Sequence, residues 1–153
     1  MFRYLLLLVF IVSIFTSCSA KKRDLLIKGS LYHTGLEYTK VKTIYYKNDT
    51  SGILNITYLN PSYPDTHDKN YDEFLIGIYL DKFKDNYALL VNDKKYFSKE
   101  LLNKNTPLYK KIPVFNQHAI YYIVKFKKEK HTSLNLTFKH TVYKDTLITF
   151  TKF

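Results

Sequence analysis

The chain has 153 residues, of which 24 are basic and 13 acidic, with a net charge of +11, one cysteine and four glycines. A single cysteine excludes an internal disulfide, four glycines leave little material for a phosphate-cradling loop, and the length suits one ordinary domain. The charge raises nucleic acid as a partner, but only two basic residues are arginine and the lysines are spread along the chain, as an AT-rich codon bias spreads them. Lys21-Lys22-Arg23 and Lys125 to Lys130 are the two concentrations, and no nucleic-acid partner is expected.

Arg3 forms a short positive start, and Tyr4 to Phe15 follow as twelve residues in which only Ser13 is polar, before the small Thr16-Ser17. This is the layout of a secretory signal peptide. A helix crossing ~30 Å of hydrocarbon at 1.5 Å per residue needs roughly 20 apolar residues, so the run is too short to span. Leu5 to Val12 are apolar on every face, which gives no amphipathic stripe for a buried helix. Phe15-Thr16-Ser17-Cys18 resembles the lipobox of bacterial lipoproteins, with Phe15 where leucine is usual. The resemblance implies removal of residues 1–17 and acylation of Cys18, palmitate-like chains holding the mature protein to the membrane. Two or more chains at ~0.8 kcal/mol per buried CH₂ give stable anchoring. Ser19, which is not Asp, implies the outer membrane, and the lack of an acidic cluster after it implies the periplasmic face. The mature chain would hold 136 residues, 153 less 17.

Residues 18–24 read as the lipidated cysteine and a short basic tether, and 25–153 as one domain. Period two dominates it. Leu25, Ile27 and Leu31 alternate with Lys28, Ser30 and Tyr32, and Val41 to Tyr46 is rich in β-branched and aromatic residues. Asn48 to Gly52 reads as a hairpin turn, and Leu54, Ile56 and Tyr58 then share one face of a strand. Asn60 to Asn70, with two prolines, is the longest predicted loop. Phe74, Ile76, Ile78 and Leu80 share the next face, followed by Tyr87 to Asn92 and a turn at Asn92 to Lys95. Ser98 to Leu102 suits one helical turn capped by Ser98, and Leu108 to Phe115 a strand interrupted at Pro113. The clearest strands come last: Ile120, Tyr122, Val124 and Phe126; Leu134, Leu136 and Phe138; Ile148 and Phe150. Eight or nine such strands predict an all-β antiparallel sandwich, with the immunoglobulin type as one form of it. A lipocalin-like closed barrel is the rival.

The five histidines show no metal or catalytic spacing, and no cofactor is implied. Asp65, His67 and Asp68, with Asp72 and Glu73 beyond, form the one dense polar cluster, a weak Ca²⁺ site or a hydrolytic centre at most. Tyr32, Tyr79 and Tyr121 fall on the polar sides of their strands and offer a binding surface. The sequence thus points to a lipid-anchored, non-catalytic binding or assembly module with an envelope protein or polysaccharide partner. Its alternative is a lipid-anchored barrel carrying a small apolar ligand.

Overall fold

The computed structural model describes residues 33–64 and 67–152. Residues 1–17, read from the sequence as a signal peptide, Cys18, Tyr32, the strand expected from Leu25 to Leu31, and Asp65 lie outside the described residues. Nine strands follow: β1 (Thr39–Tyr46), β2 (Asp49–Tyr58), β3 (Tyr71–Leu80), β4 (Tyr87–Val91), β5 (Lys94–Lys95), β6 (Ser98–Leu101), β7 (Ile120–Lys127), β8 (Ser133–His140) and β9 (Thr146–Thr151). They form two antiparallel sheets, β1-β2-β3-β7-β6 and β5-β4-β8-β9. Neither sheet closes on itself or on the other, so the barrel alternative is not the one the chain adopts.

The strand order is that of an immunoglobulin sandwich with one strand added. In such a sandwich strands A, B, E and D make one sheet and C, F and G the other. Here β2, β3, β7 and β6 take the places of A, B, E and D, while β4, β8 and β9 take those of C, F and G. The two-residue β5 extends the second sheet beside β4, and β1 adds an edge outside β2.

Alternation along the strands explains the core. Leu54, Ile56, Tyr58, Phe74, Ile76, Val124, Phe126, Leu134, Leu136, Phe138, Ile148 and Phe150 meet between the sheets. The Phe74 ring stacks on Tyr58 at 5.0 Å and meets Phe126 and Phe150 at 5.9 and 5.5 Å. The predicted β1–β2 turn tightens to two residues: Lys47 and Asn48 take φ of 49° and 82°, the mirror-image turn that suits hairpin twist. Gly52 lies inside β2, where a Cβ would stand 2.6 Å from the Tyr79 carbonyl oxygen.

Two expectations fail between β5 and β7. Ser98–Leu101 is a strand, not a helical turn, because pairing with β7 from Ser98↔Lys125 to Leu101↔Tyr122 satisfies its backbone. Residues 108–115 form no strand; a 3₁₀ turn at Tyr109–Lys111 replaces it. The connection 102–119 instead folds over the outer face of the five-stranded sheet. There Leu102, Ile112, Leu59, Leu75 and Tyr121 make a second, smaller core, with Leu108 and Tyr109 packed against it. The proline loop also contains one helical turn, Leu59–Ser62.

The sandwich has two ends. Thr39 opposite Thr57, Phe74 opposite Tyr58, and Asp72 opposite Phe126 define the end at which the chain enters β1. The far end carries the connections β1–β2, β3–β4 and β8–β9, and the β6–β7 connection leaves from it to cover the outer face.

Candidate functional site

The far end is built from the β3–β4 connection, residues 81–86, and the β8–β9 connection, residues 141–145. In immunoglobulin terms these are the B–C and F–G connections, which cluster at one end of the sandwich. Side chains from the end of β8 and from the second connection hold the first in place. His140 Nε2 lies 2.9 Å from the Phe83 carbonyl oxygen and 2.8 Å from that of Asp85, while the Val142 N–H donates to His140 Nδ1 at 3.0 Å. One nitrogen therefore donates and the other accepts, which fixes the tautomer as Nε2–H. Tyr143, 4% exposed, donates its hydroxyl to the Lys82 carbonyl at 2.5 Å. Burial pushes the Tyr143 phenol above its ordinary range.

Phe83 is what this framework presents. Its φ is 51°, in the left-handed region, and its side chain is 50% exposed. A bulky residue there is strained by about 1–3 kcal/mol, where asparagine or glycine would sit with little penalty. The ring rests against Tyr46 at 6.0 Å and Tyr143 at 6.2 Å, so its exposed side faces outward from a rigid aromatic base. Val142, also exposed, adds apolar surface. Around the end stand Lys47, Lys82, Lys84 and Lys144 against Asp49, Asp81, Asp85 and Asp145, four charges of each sign. An apolar centre within a balanced polar rim is the anatomy of a protein-binding patch.

The predicted tyrosines separate. Tyr79 is half-buried beside this end, its ring 6.1 Å from that of His118, and both line a notch of about 60 Å³ with Lys84, Tyr87 and Tyr122. Lys99 spans the sheets here, its Nζ 4.3 Å above the Tyr87 ring and 4.1 Å from that of Tyr122. Tyr121 is a correction: it is 3% exposed. Its ring fills the space left by Gly77, where a Cβ would lie 2.4 Å from the Tyr121 Cε1, and Phe115 of the covering connection stacks on it at 5.8 Å. Phe83 was missed by strand periodicity because it lies between strands. The available signal was one aromatic in an otherwise charged and turn-forming run, Asp81 to Asn86.

The acidic cluster does not assemble as the sequence suggests. Asp68 Oδ1 accepts the Asn70 N–H at 2.9 Å in a local turn. His67 Nδ1 instead meets Glu73 Oε2 at 2.8 Å, and Lys125 Nζ meets Glu73 Oε1 at 3.2 Å. Asp72 points the other way, into the core, where the Tyr58 hydroxyl donates to it at 2.8 Å and Lys152 pairs with it at 2.7 Å. Among the described residues no group of three or more His, Cys, Asp and Glu is placed to hold a metal ion.

A well-formed hollow lies at the entry end. It has a volume of about 300 Å³ and a floor of Val91, Phe126 and Leu134, with Lys94, Lys95, Tyr96, Phe97 and Lys127 around its mouth. No protein-family model, curated protein or solved structure matches the chain.

Proposed function

We propose that the protein is an exported lipoprotein of the bacterial envelope, anchored through Cys18, whose sandwich acts as a non-catalytic binding module. The lipobox-like Phe15-Thr16-Ser17-Cys18 carries the anchoring part of this reading. The binding part is supported above all by Phe83, a half-exposed ring kept in a strained backbone conformation on paired connections. Strain retained at an exposed position favours a role for the side chain itself. The charge-balanced rim favours a protein partner over an anionic polysaccharide. The carrier alternative needs an apolar interior, whereas the inner faces of these sheets are filled by side chains.

Two measurements test the two parts separately. Intact mass of the membrane-extracted protein should begin at Cys18 and include acyl chains, and the Cys18→Ala variant should lose both; an unmodified soluble chain would sink the anchor. A photo-crosslinking residue at position 83 or 142 should give a discrete protein adduct in living cells. The same residue at Leu101, which is 68% exposed on an edge strand, should not. The Phe83→Asn variant should keep its thermal midpoint, since asparagine tolerates positive φ, yet abolish the adduct formed from position 142. Equal crosslinking from 83 and 101, or none from 83, would refute a binding role for this end.

A further inference from the structure

The two ends of the sandwich differ in charge. Against the balanced far end, the entry end carries Lys94, Lys95, Lys127, Lys128 and Lys130 on the connections 92–97 and 128–132 and the adjoining strand end. On those segments Asp93 and Glu129 oppose them, five cations to two anions; of the acids at the neighbouring start of β3, Glu73 is paired with Lys125 and Asp72 with Lys152, and Asp68 lies on the β2–β3 connection before it. Glu129 is already engaged: it pairs with Lys94, which holds its carboxyl below the usual range, and lies 3.0 Å from His131. Asp72, at the edge of the hollow, is neutralised by Lys152. Lys95 and Lys127 are exposed and form no ion pair with a described carboxylate.

Two rings stand among these lysines, Tyr96 at 42% and Phe97 at 58% exposure. Phe97 leans on Tyr71 at 5.0 Å, and Lys127 Nζ lies 5.9 Å from its centre. Exposed aromatics within a lysine ring match the chemistry of a membrane interface, where amphipathic rings sit at head-group depth and lysines meet anionic lipid. Placement agrees. The chain enters β1 at this same end, and the fourteen residues from 19 to 32 reach at most about 50 Å from Cys18 even fully extended.

We propose that the entry end, through Lys94, Lys95, Lys127, Lys128, Tyr96 and Phe97, docks on an anionic lipid surface and so turns Phe83 away from the membrane. This extends the anchored reading, yet it rests on different residues and fails independently of it.

The chain contains no tryptophan, so a single Phe97→Trp substitution reports one position. The membrane-extracted Phe97→Trp and Phe83→Trp variants are mixed with vesicles containing brominated lipid, either purely zwitterionic or with a third anionic lipid. Emission from Phe97→Trp should shift to the blue and be quenched at least twofold on anionic vesicles. That from Phe83→Trp should be unchanged. Adding Lys95→Glu, Lys127→Glu and Lys128→Glu should lower the partition coefficient onto anionic vesicles about fivefold per lysine altered, and raised salt should weaken it likewise. Circular dichroism checks that this variant remains folded. Quenching of both indoles alike, equal quenching on zwitterionic vesicles, or a response to soluble anionic polysaccharide in place of vesicles would each overturn the proposal. Protein that washes off zwitterionic vesicles but is quenched at position 97 on anionic ones removes the lipid anchor and keeps this surface.

Discussion

Asp72 shows how far a single residue can be misplaced by local reasoning. Beside Glu73 and a polar loop it reads as one more solvated acid, yet it is 1% exposed. It remains tolerable because Tyr58 and Lys152 occupy its two oxygens; an ionised carboxylate without partners would be strongly disfavoured there. The Lys152→Ala variant leaves that charge buried and unpaired, so it should lose about 3 kcal/mol. In a domain of this size that lowers the thermal midpoint by on the order of 10 °C. Replacing both partners, Asp72→Asn with Lys152→Met, should recover part of the loss, because no lone charge is then buried. Thermal unfolding of the three proteins checks this, and a double variant worse than the single one by the full additive amount would contradict the pairing argument.

At the scale of elements, the connection 102–119 converts one face of a two-faced sheet into interior. Gly77 and Tyr121 lie opposite each other in the β3–β7 register, and the missing side chain of one is the seat of the other's ring. Gly77→Ala places a methyl 2.4 Å from that ring, and the ring cannot retreat because Phe115 and Tyr109 pack on it. A cost of about 1–3 kcal/mol is expected, read as a shift in denaturant midpoint. Tyr121→Leu should relieve it when combined with Gly77→Ala, although alone it destabilises.

This cover also marks the limit of what periodicity conveys. β3, β7, β8 and β9 were legible because each has apolar residues at every second position on the face turned to the main core. Tyr121 was read as surface because its face is polar by pattern, and strand alternation does not announce that the connection just before it folds back as a lid, with Tyr109 and Phe115 on its ring. β6 was lost for the same reason. Ser98-Lys-Glu-Leu has no strong strand preference, and only its partner β7 decides its conformation. The Phe83 platform was hidden because strand alternation says nothing of how two connections pack on one another.

For the whole molecule, tyrosine takes much of the structural work that a disulfide performs in many secreted domains. The one cysteine cannot pair within the chain. Burial raises the phenols of Tyr58, Tyr63, Tyr87, Tyr122 and Tyr143 above their ordinary value, and for Tyr58 the neighbouring Asp72 adds to the effect. Each folded-state value exceeds the unfolded one, so the folded protein holds its phenolic protons more tightly. Stability from these groups is complete below about pH 10 and declines as pH rises toward the folded values, because the unfolded chain releases the protons first. The buried phenols should ionise only as the sandwich opens. Tyrosinate absorbance followed with circular dichroism should therefore show a phase coincident with loss of sheet signal. Replacing Tyr58 by Phe removes one hydroxyl that would have to ionise and makes the loss of stability with rising pH shallower. At neutral pH the same variant loses a hydrogen bond to a charged group, which is worth about 1.5–3 kcal/mol. One substitution thus weakens the fold at neutral pH and strengthens its relative resistance to alkali. A single gradual absorbance rise with no accompanying change in circular dichroism would show that the buried phenols do not hold the two sheets together.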